Sequence, residues 1–128
     1  MAKEIIATQA APAAIGPYSQ GVKTAGMLFT AGQIPLDPAT GRLVEGDIVA
    51  QTERVMRNLE AVLGEAGADF GTVVKTTCFL ANLDDFAAFN EVYGRFFPEQ
   101  PPARSTVQVA RLPAGALVEV ECVALCPR

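Results

Sequence analysis

Two short stretches late in the 128-residue chain hold the side chains best suited to chemistry. In Arg104-Ser105-Thr106-Val107-Gln108, strand alternation puts Arg104, Thr106 and Gln108 on one face. In Val118-Glu119-Val120-Glu121 the two glutamates share a face. If these strands pair through an even-numbered loop, Arg104 and Thr106 lie on the same side as Glu119 and Glu121. That arrangement reads in two ways. It is either a satisfied ion pair at an interface, or a guanidinium whose planar fork grips a carboxylate beside a Glu that holds or deprotonates water.

Other candidates are single residues. Tyr18 follows Gly16-Pro17, a rigid bend that either presents the ring and hydroxyl at a cleft edge or half-buries them at a strand start. Ala31-Gly32-Gln33 precedes Pro35, so Gly32 serves a turn or lets a ligand approach the backbone N–H. Asp84 and Asp85 read first as helix-start charges. The chain has no histidine, which excludes Ser-His-Asp and Cys-His nucleophiles and most zinc sites. Cys78, Cys122 and Cys126 form no C-x-x-C pair, and their apolar surroundings predict buried thiols in a reducing, cytoplasmic setting. No metal cluster, phosphate-cradling loop or dinucleotide fingerprint is present in the sequence. A net charge of −4 without Trp or a basic cluster disfavours nucleic acid. No apolar run approaches the ~18 residues of a membrane span, and no secretory leader is expected.

The elements that must position these groups follow from periodicity. Tyr18 to Thr24 and Met27 to Gln33 read as strands around an Ala25-Gly26 turn. The pattern Ile48, Thr52, Val55, Leu59, Val62, Ala66 predicts a helix over 47–66, with Asp47 at its start and Gly67 as its stop. Thr72 to Leu80 is a buried strand. A second helix fits Leu83 to Phe97, with Phe86, Phe89, Val92, Tyr93 and Phe96 inward. Arg104 to Val109 and Ala116 to Leu125 complete a β-β-α-β-α-β-β order, six strands if residues near Ile5 count. Two helices cover one face of such a sheet. The last strand has aliphatic side chains on both faces, so the uncovered face predicts an oligomer.

Several strings resemble one family. They are Ala13-Ala14-Ile15-Gly16-Pro17-Tyr18-Ser19-Gln20-Gly21, Ala31-Gly32-Gln33-Ile34-Pro35, Val74-Lys75-Thr76-Thr77-Cys78-Phe79-Leu80 and Asp85-Phe86-Ala87-Ala88-Phe89-Asn90. Pro102-Ala103-Arg104-Ser105-Thr106-Val107 with the spaced Val118-Glu119-Val120-Glu121 is the most specific part. Together they resemble the RidA (YjgF-like) family of reactive-intermediate deaminases across essentially the whole chain. The resemblance implies an α+β, chorismate-mutase-like (bacillary type) fold, a six-stranded mixed sheet with two helices on one face. It also implies a homotrimer with clefts between adjacent subunits. The implied activity is cofactor- and metal-independent hydrolysis of 2-iminobutanoate and 2-iminopropanoate, reactive enamine/imine intermediates, to 2-keto acids and ammonia, a form of metabolite damage control. Carried over by position, Arg104 clamps the substrate carboxylate and Glu119 positions the attacking water. The Thr106 backbone and Gly32 N–H line the same pocket, Tyr18 flanks it, and Asn90 matches a motif position. Two departures stand out: Ala31 and Thr106 replace the Ser and Cys of many bacterial members. Thr30 does not supply the missing hydroxyl, because it points to the opposite face. A non-catalytic trimer that senses small 2-keto carboxylates is the alternative. An RNA-cleaving role is disfavoured by charge and by the absence of histidine.

Overall fold

Alternating apolar residues build a six-stranded mixed sheet in the order β1-β2-β3-β6-β4-β5, seen in a computed structural model that describes residues 2–127. The strands are β1 (Glu4–Ile6), β2 (Gly21–Thr24), β3 (Met27–Thr30), β4 (Val73–Leu80), β5 (Ala103–Gln108) and β6 (Val118–Leu125). The helices are α1 (Ile48–Glu65) and α2 (Phe86–Arg95). The Ala25-Gly26 turn joins β2 to β3 as expected, with both residues at positive φ (52° and 76°), the geometry that matches strand twist in a tight hairpin.

Helix α1 starts where the Asp47 carboxylate accepts from the N–H groups of Val49 and Ala50, at 3.1 and 3.2 Å. It ends before Gly67 (φ +81°), and Lys23 Nζ donates to the Ala66 carbonyl at 3.2 Å, a cation at the negative helix end. Its inner stripe, Val55, Leu59 and Val62, packs with Leu28, Val118, Val120 and Ala124 of the sheet in one core. Burying each such aliphatic contributes about 1.5–3 kcal/mol. Helix α2 is shorter than expected: Leu83–Asp85 form a 3-10 turn capped by Asn82, and the α-helix runs from Phe86. Its buried residues are Phe89, Val92 and Tyr93; Phe96 packs against the core partly buried, as expected, and Phe97 joins the core as well. Phe86 is exposed.

One expectation is overturned. The last two strands do not pair. The α2 crossover returns β5 parallel to β4, with Thr76 opposite Arg104 and Cys78 opposite Thr106. The following strand β6 then inserts between β4 and β3, antiparallel to both. A strand–helix–strand unit lays its second strand beside its first, and that leaves β5 as the sheet edge.

Both helices pack on one face. The other face carries Ile5, Phe29, Val107 and Leu125, each 43–53% exposed. The register row Ile5, Val22, Phe29, Val123 runs across four strands of that open face.

Candidate active site

The site residues fall into two groups on one chain. Register decides this: Thr76 pairs with Arg104 and with Cys122, whereas Phe79 pairs with Glu119. Residues three apart on β4 point to opposite faces. Arg104 and Thr106 therefore lie on the helix-covered side and Glu119 and Glu121 on the open side, which corrects the shared face expected from strand pairing.

The first group is a cleft of about 590 Å³ lined by Ile15, Tyr18, Gly32, Ile34, Leu36 and Glu119, together with Ala31, Gly41, Pro113 and Ala114. An irregularity in the sheet opens it. Phe29 pairs with Val123 and Gln33 with Val120, so Thr30, Ala31 and Gly32 stand against Glu121 and Cys122, a β-bulge. The bulge is held by the Cys122 N–H donating to Thr30 Oγ1 (3.0 Å) and the Ala31 N–H donating to Gln20 O (2.9 Å). The Gly32 N–H has no hydrogen-bond partner among the described residues. Tyr18 lies outside β2, half exposed, and its hydroxyl accepts from the Ile15 N–H at 3.4 Å. Ala31 lines the cleft, at the position where a serine would present a hydroxyl.

Among the described residues, Glu119 is the only acid lining this cleft. Burial, with the nearby Glu121 charge adding to it, raises the Glu119 pKa above the ordinary carboxylate value. No ion pair to Glu119 is present among the described residues.

The second group surrounds Arg104. Its Nη1 donates to Asn90 Oδ1 at 2.7 Å, and its guanidinium carbon lies 4.9 Å from the Tyr93 ring centre and 5.4 Å from that of Phe86. Among the described residues of the same chain no carboxylate pairs with it. Asn90 touches Arg104, and it lies outside the Glu119 cleft. The Val109 N–H donates to Leu80 O at 3.0 Å. Alternation from there turns the N–H and C=O of Thr106 to the unpaired edge of β5. The Thr106 hydroxyl is buried beside the Cys78 thiol, its register partner on β4.

Three buried amides missed in the sequence brace the loops around the site, and Asn58 holds two residues of the cleft wall. Asn58 Nδ2 donates to the carbonyls of Ile34 and Leu36, at 3.3 and 3.0 Å, and its Oδ1 accepts from Arg54 Nε at 3.0 Å. Gln51 Oε1 accepts from the Leu117 N–H at 2.8 Å. Gln20 Nε2 donates to Thr8 O and Pro12 O, at 3.0 and 2.7 Å. The available signal was a polar residue beside an apolar stripe, Asn58 next to Leu59. The three thiols are buried as expected, and burial pushes Cys78 and Cys122 up to about 11, which keeps them protonated. No group of residues able to hold a metal occurs among the described residues, and no helix there is long and apolar enough to cross a membrane.

The profile of the family described as Endoribonuclease L-PSP matches residues 8–126. This chain belongs to that family, the RidA (YjgF-like) family. Among RidA-family relatives, it is 46% identical over 123 residues to a mouse protein named 2-iminobutanoate/2-iminopropanoate deaminase, covering 96% of this chain and 91% of that one. It is 58% identical over 127 residues to Protein DfrA of Myxococcus xanthus, covering 98% and 97%. Its fold is similar to that of the Rid-family protein YyfA from Yersinia pestis, with TM-score 0.95 and 49% identity over 97% of this chain and 99% of that one. E. coli TdcF with bound serine is similar at TM-score 0.91 and 46% identity, covering 95% and 98%.

Proposed function

We propose that this protein hydrolyses small 2-imino acids to 2-keto acids and ammonia, at sites made jointly by adjacent copies of the chain in a homotrimer in the cytoplasm. The observation that carries the reading is the lone Glu119 carboxylate, its proton affinity raised, above Gly32 in an otherwise apolar cleft. A carboxylate in such surroundings is suited to taking a proton from water near neutrality. The apolar walls suit an aliphatic substrate side chain.

The substrate also needs a cation for its carboxylate, and none of the described residues lining the cleft of a single chain is one. Arg104, half-buried on the edge strand β5 and without a carboxylate partner among the described residues, supplies it from a neighbouring copy. The open apolar sheet face supports assembly, because such a surface is unfavourable in water. In the reaction water adds to the iminium carbon, forming a C–O bond as the C=N pair moves to nitrogen. Glu119 accepts the water proton and returns it to nitrogen. Glu119 then takes the carbinolamine hydroxyl proton as the oxygen lone pair forms the C=O bond, and the C–N bonding pair leaves with nitrogen, releasing ammonia and the keto acid. The carbon is already electrophilic, so orienting water and substrate supplies most of what the step requires. The negative net charge argues against an RNA substrate.

Mixing two inactive variants tests the shared site. Arg104→Lys loses the two-pronged grip and Glu119→Gln loses the proton acceptor, so each alone should be inactive toward imine released by a threonine dehydratase. Refolded together at equal amounts, they should regain about a quarter of native activity, since one adjacent pairing in four restores both residues in a cyclic trimer. Native mass spectrometry should show mixed trimers. Mixed trimers without activity would sink the shared-site reading, and active single variants would sink the residue assignments.

A further inference from the structure

Among the described residues, the side chains that hold the Arg104 guanidinium are electrically neutral and come from one face of α2. Phe86, Asn90 and Tyr93 are spaced i, i+4, i+7, the spacing that stacks side chains along one helical stripe. The Tyr93 ring is itself fixed. Its hydroxyl and Thr76 Oγ1 are 2.7 Å apart in a buried hydrogen bond. Thr76 is the residue of β4 directly paired with Arg104 in the parallel ladder. The chain thus closes a loop: strand register sets Thr76 beside Arg104, Thr76 pins the Tyr93 hydroxyl, and the ring returns beneath the guanidinium. Burial pushes the Tyr93 hydroxyl up to about 12, so it stays uncharged across the working pH range.

We propose that Tyr93, anchored by Thr76, is a positioning residue that fixes the Arg104 guanidinium and leaves its charge uncompensated for a ligand carboxylate. A Glu or Asp in the same place would hold Arg104 as firmly but would compete with the ligand for its N–H groups. An aromatic face attracts the cation without occupying the donors in its plane. The proposal rests on the reading that Arg104 binds the substrate carboxylate, and the variants below separate the two.

The probe is 2-oxobutanoate, with its neutral amide as control, titrated calorimetrically into the assembled protein. Tyr93→Leu removes the ring and should weaken 2-oxobutanoate binding about tenfold, with little effect on the amide. Tyr93→Phe leaves Thr76 unpartnered and should lower the melting temperature. The double variant Thr76→Val/Tyr93→Phe removes both partners, which restores stability when a buried pair is replaced by apolar groups of similar shape. Its melting temperature should be native while carboxylate binding stays several-fold weaker. Native binding by the double variant would make the hydroxyl pair merely structural and overturn the anchor, whether or not Tyr93→Leu folds. Native binding by a folded Tyr93→Leu would overturn the whole proposal. Arg104→Gln is the reference. If it binds 2-oxobutanoate like the native protein, the underlying assignment of Arg104 fails. If it loses binding while the Tyr93 variants keep it, only the positioning role fails.

Discussion

The Glu119 side chain lies directly against the Cα of Gly32: a Cβ at Gly32 would stand 2.8 Å from Glu119 Cδ and 3.0 Å from Cγ. The requirement for glycine here is steric rather than conformational, because Gly32 is not among the positive-φ glycines. Gly32→Ala should therefore push the carboxylate aside and lower imine hydrolysis by about 10²-fold, the scale on which a misplacement near 1 Å acts. The clashing neighbour is a flexible side chain, so folding and assembly should survive. Turnover and melting temperature measured together check this, and native turnover would show that the Glu119 position is not needed.

Glu119 should leave a mark on pH dependence. As a base it works deprotonated, so activity should rise with pH through a midpoint above the ordinary carboxylate range. Glu121→Gln removes the repulsion that adds to the shift, and the midpoint should move to lower pH. Glu119→Gln should lower turnover by about 10²-fold. Stability should move the other way. A folded-state pKa above the unfolded value means that stability falls as pH rises from the unfolded pKa through the folded one. Glu119→Gln should then melt higher than the native protein near neutrality, with the gap closing below the ordinary carboxylate range. Parallel melting and rate profiles test both signs, and an unmoved midpoint in Glu121→Gln would count against Glu119 as the titrating group.

Asn58 ties α1 to the Ile34–Leu36 wall of the cleft. Asn58→Ala should cost about 2 kcal/mol or more, since it strands two carbonyls and empties a fully buried position. Turnover should fall even at temperatures where the variant is folded, because the wall beside Gly32 loosens. Denaturant unfolding and initial rates at low temperature measure the two effects separately.

Local pattern was enough to read α1, β4 and β6, because each has one face in the core: Val118, Val120, Cys122 and Ala124 alternate inward as expected. Strand adjacency was not legible that way. Whether β5 lies beside β4 or β6 depends on where α2 returns the chain, and alternation within Ala103–Gln108 is the same in either arrangement. Arg104 and Glu119 could therefore be named as candidates from sequence, while the faces they occupy required the register with Thr76 and Phe79. The β2 and β3 ends were overextended for a related reason. Gln20 and Gln33 are buried polar residues, and Ala31 and Gly32 continue an apolar run into a bulge that no periodicity marks.

The position of β6 has a consequence for how the chain is made. It is the last of the six strands in sequence but lies inside the sheet, between β3 and β4. During synthesis the β1–β3 ribbon and the β4–α2–β5 unit emerge as two separate pieces, each with an unsatisfied edge that β6 will later occupy. They join only when residues 118–125 leave the ribosome, and Glu119 arrives in that same segment. A nascent chain therefore holds the β3 edge open once Thr30 is made and the β4 edge open once Leu80 is made, and the final step that seals them also delivers the carboxylate.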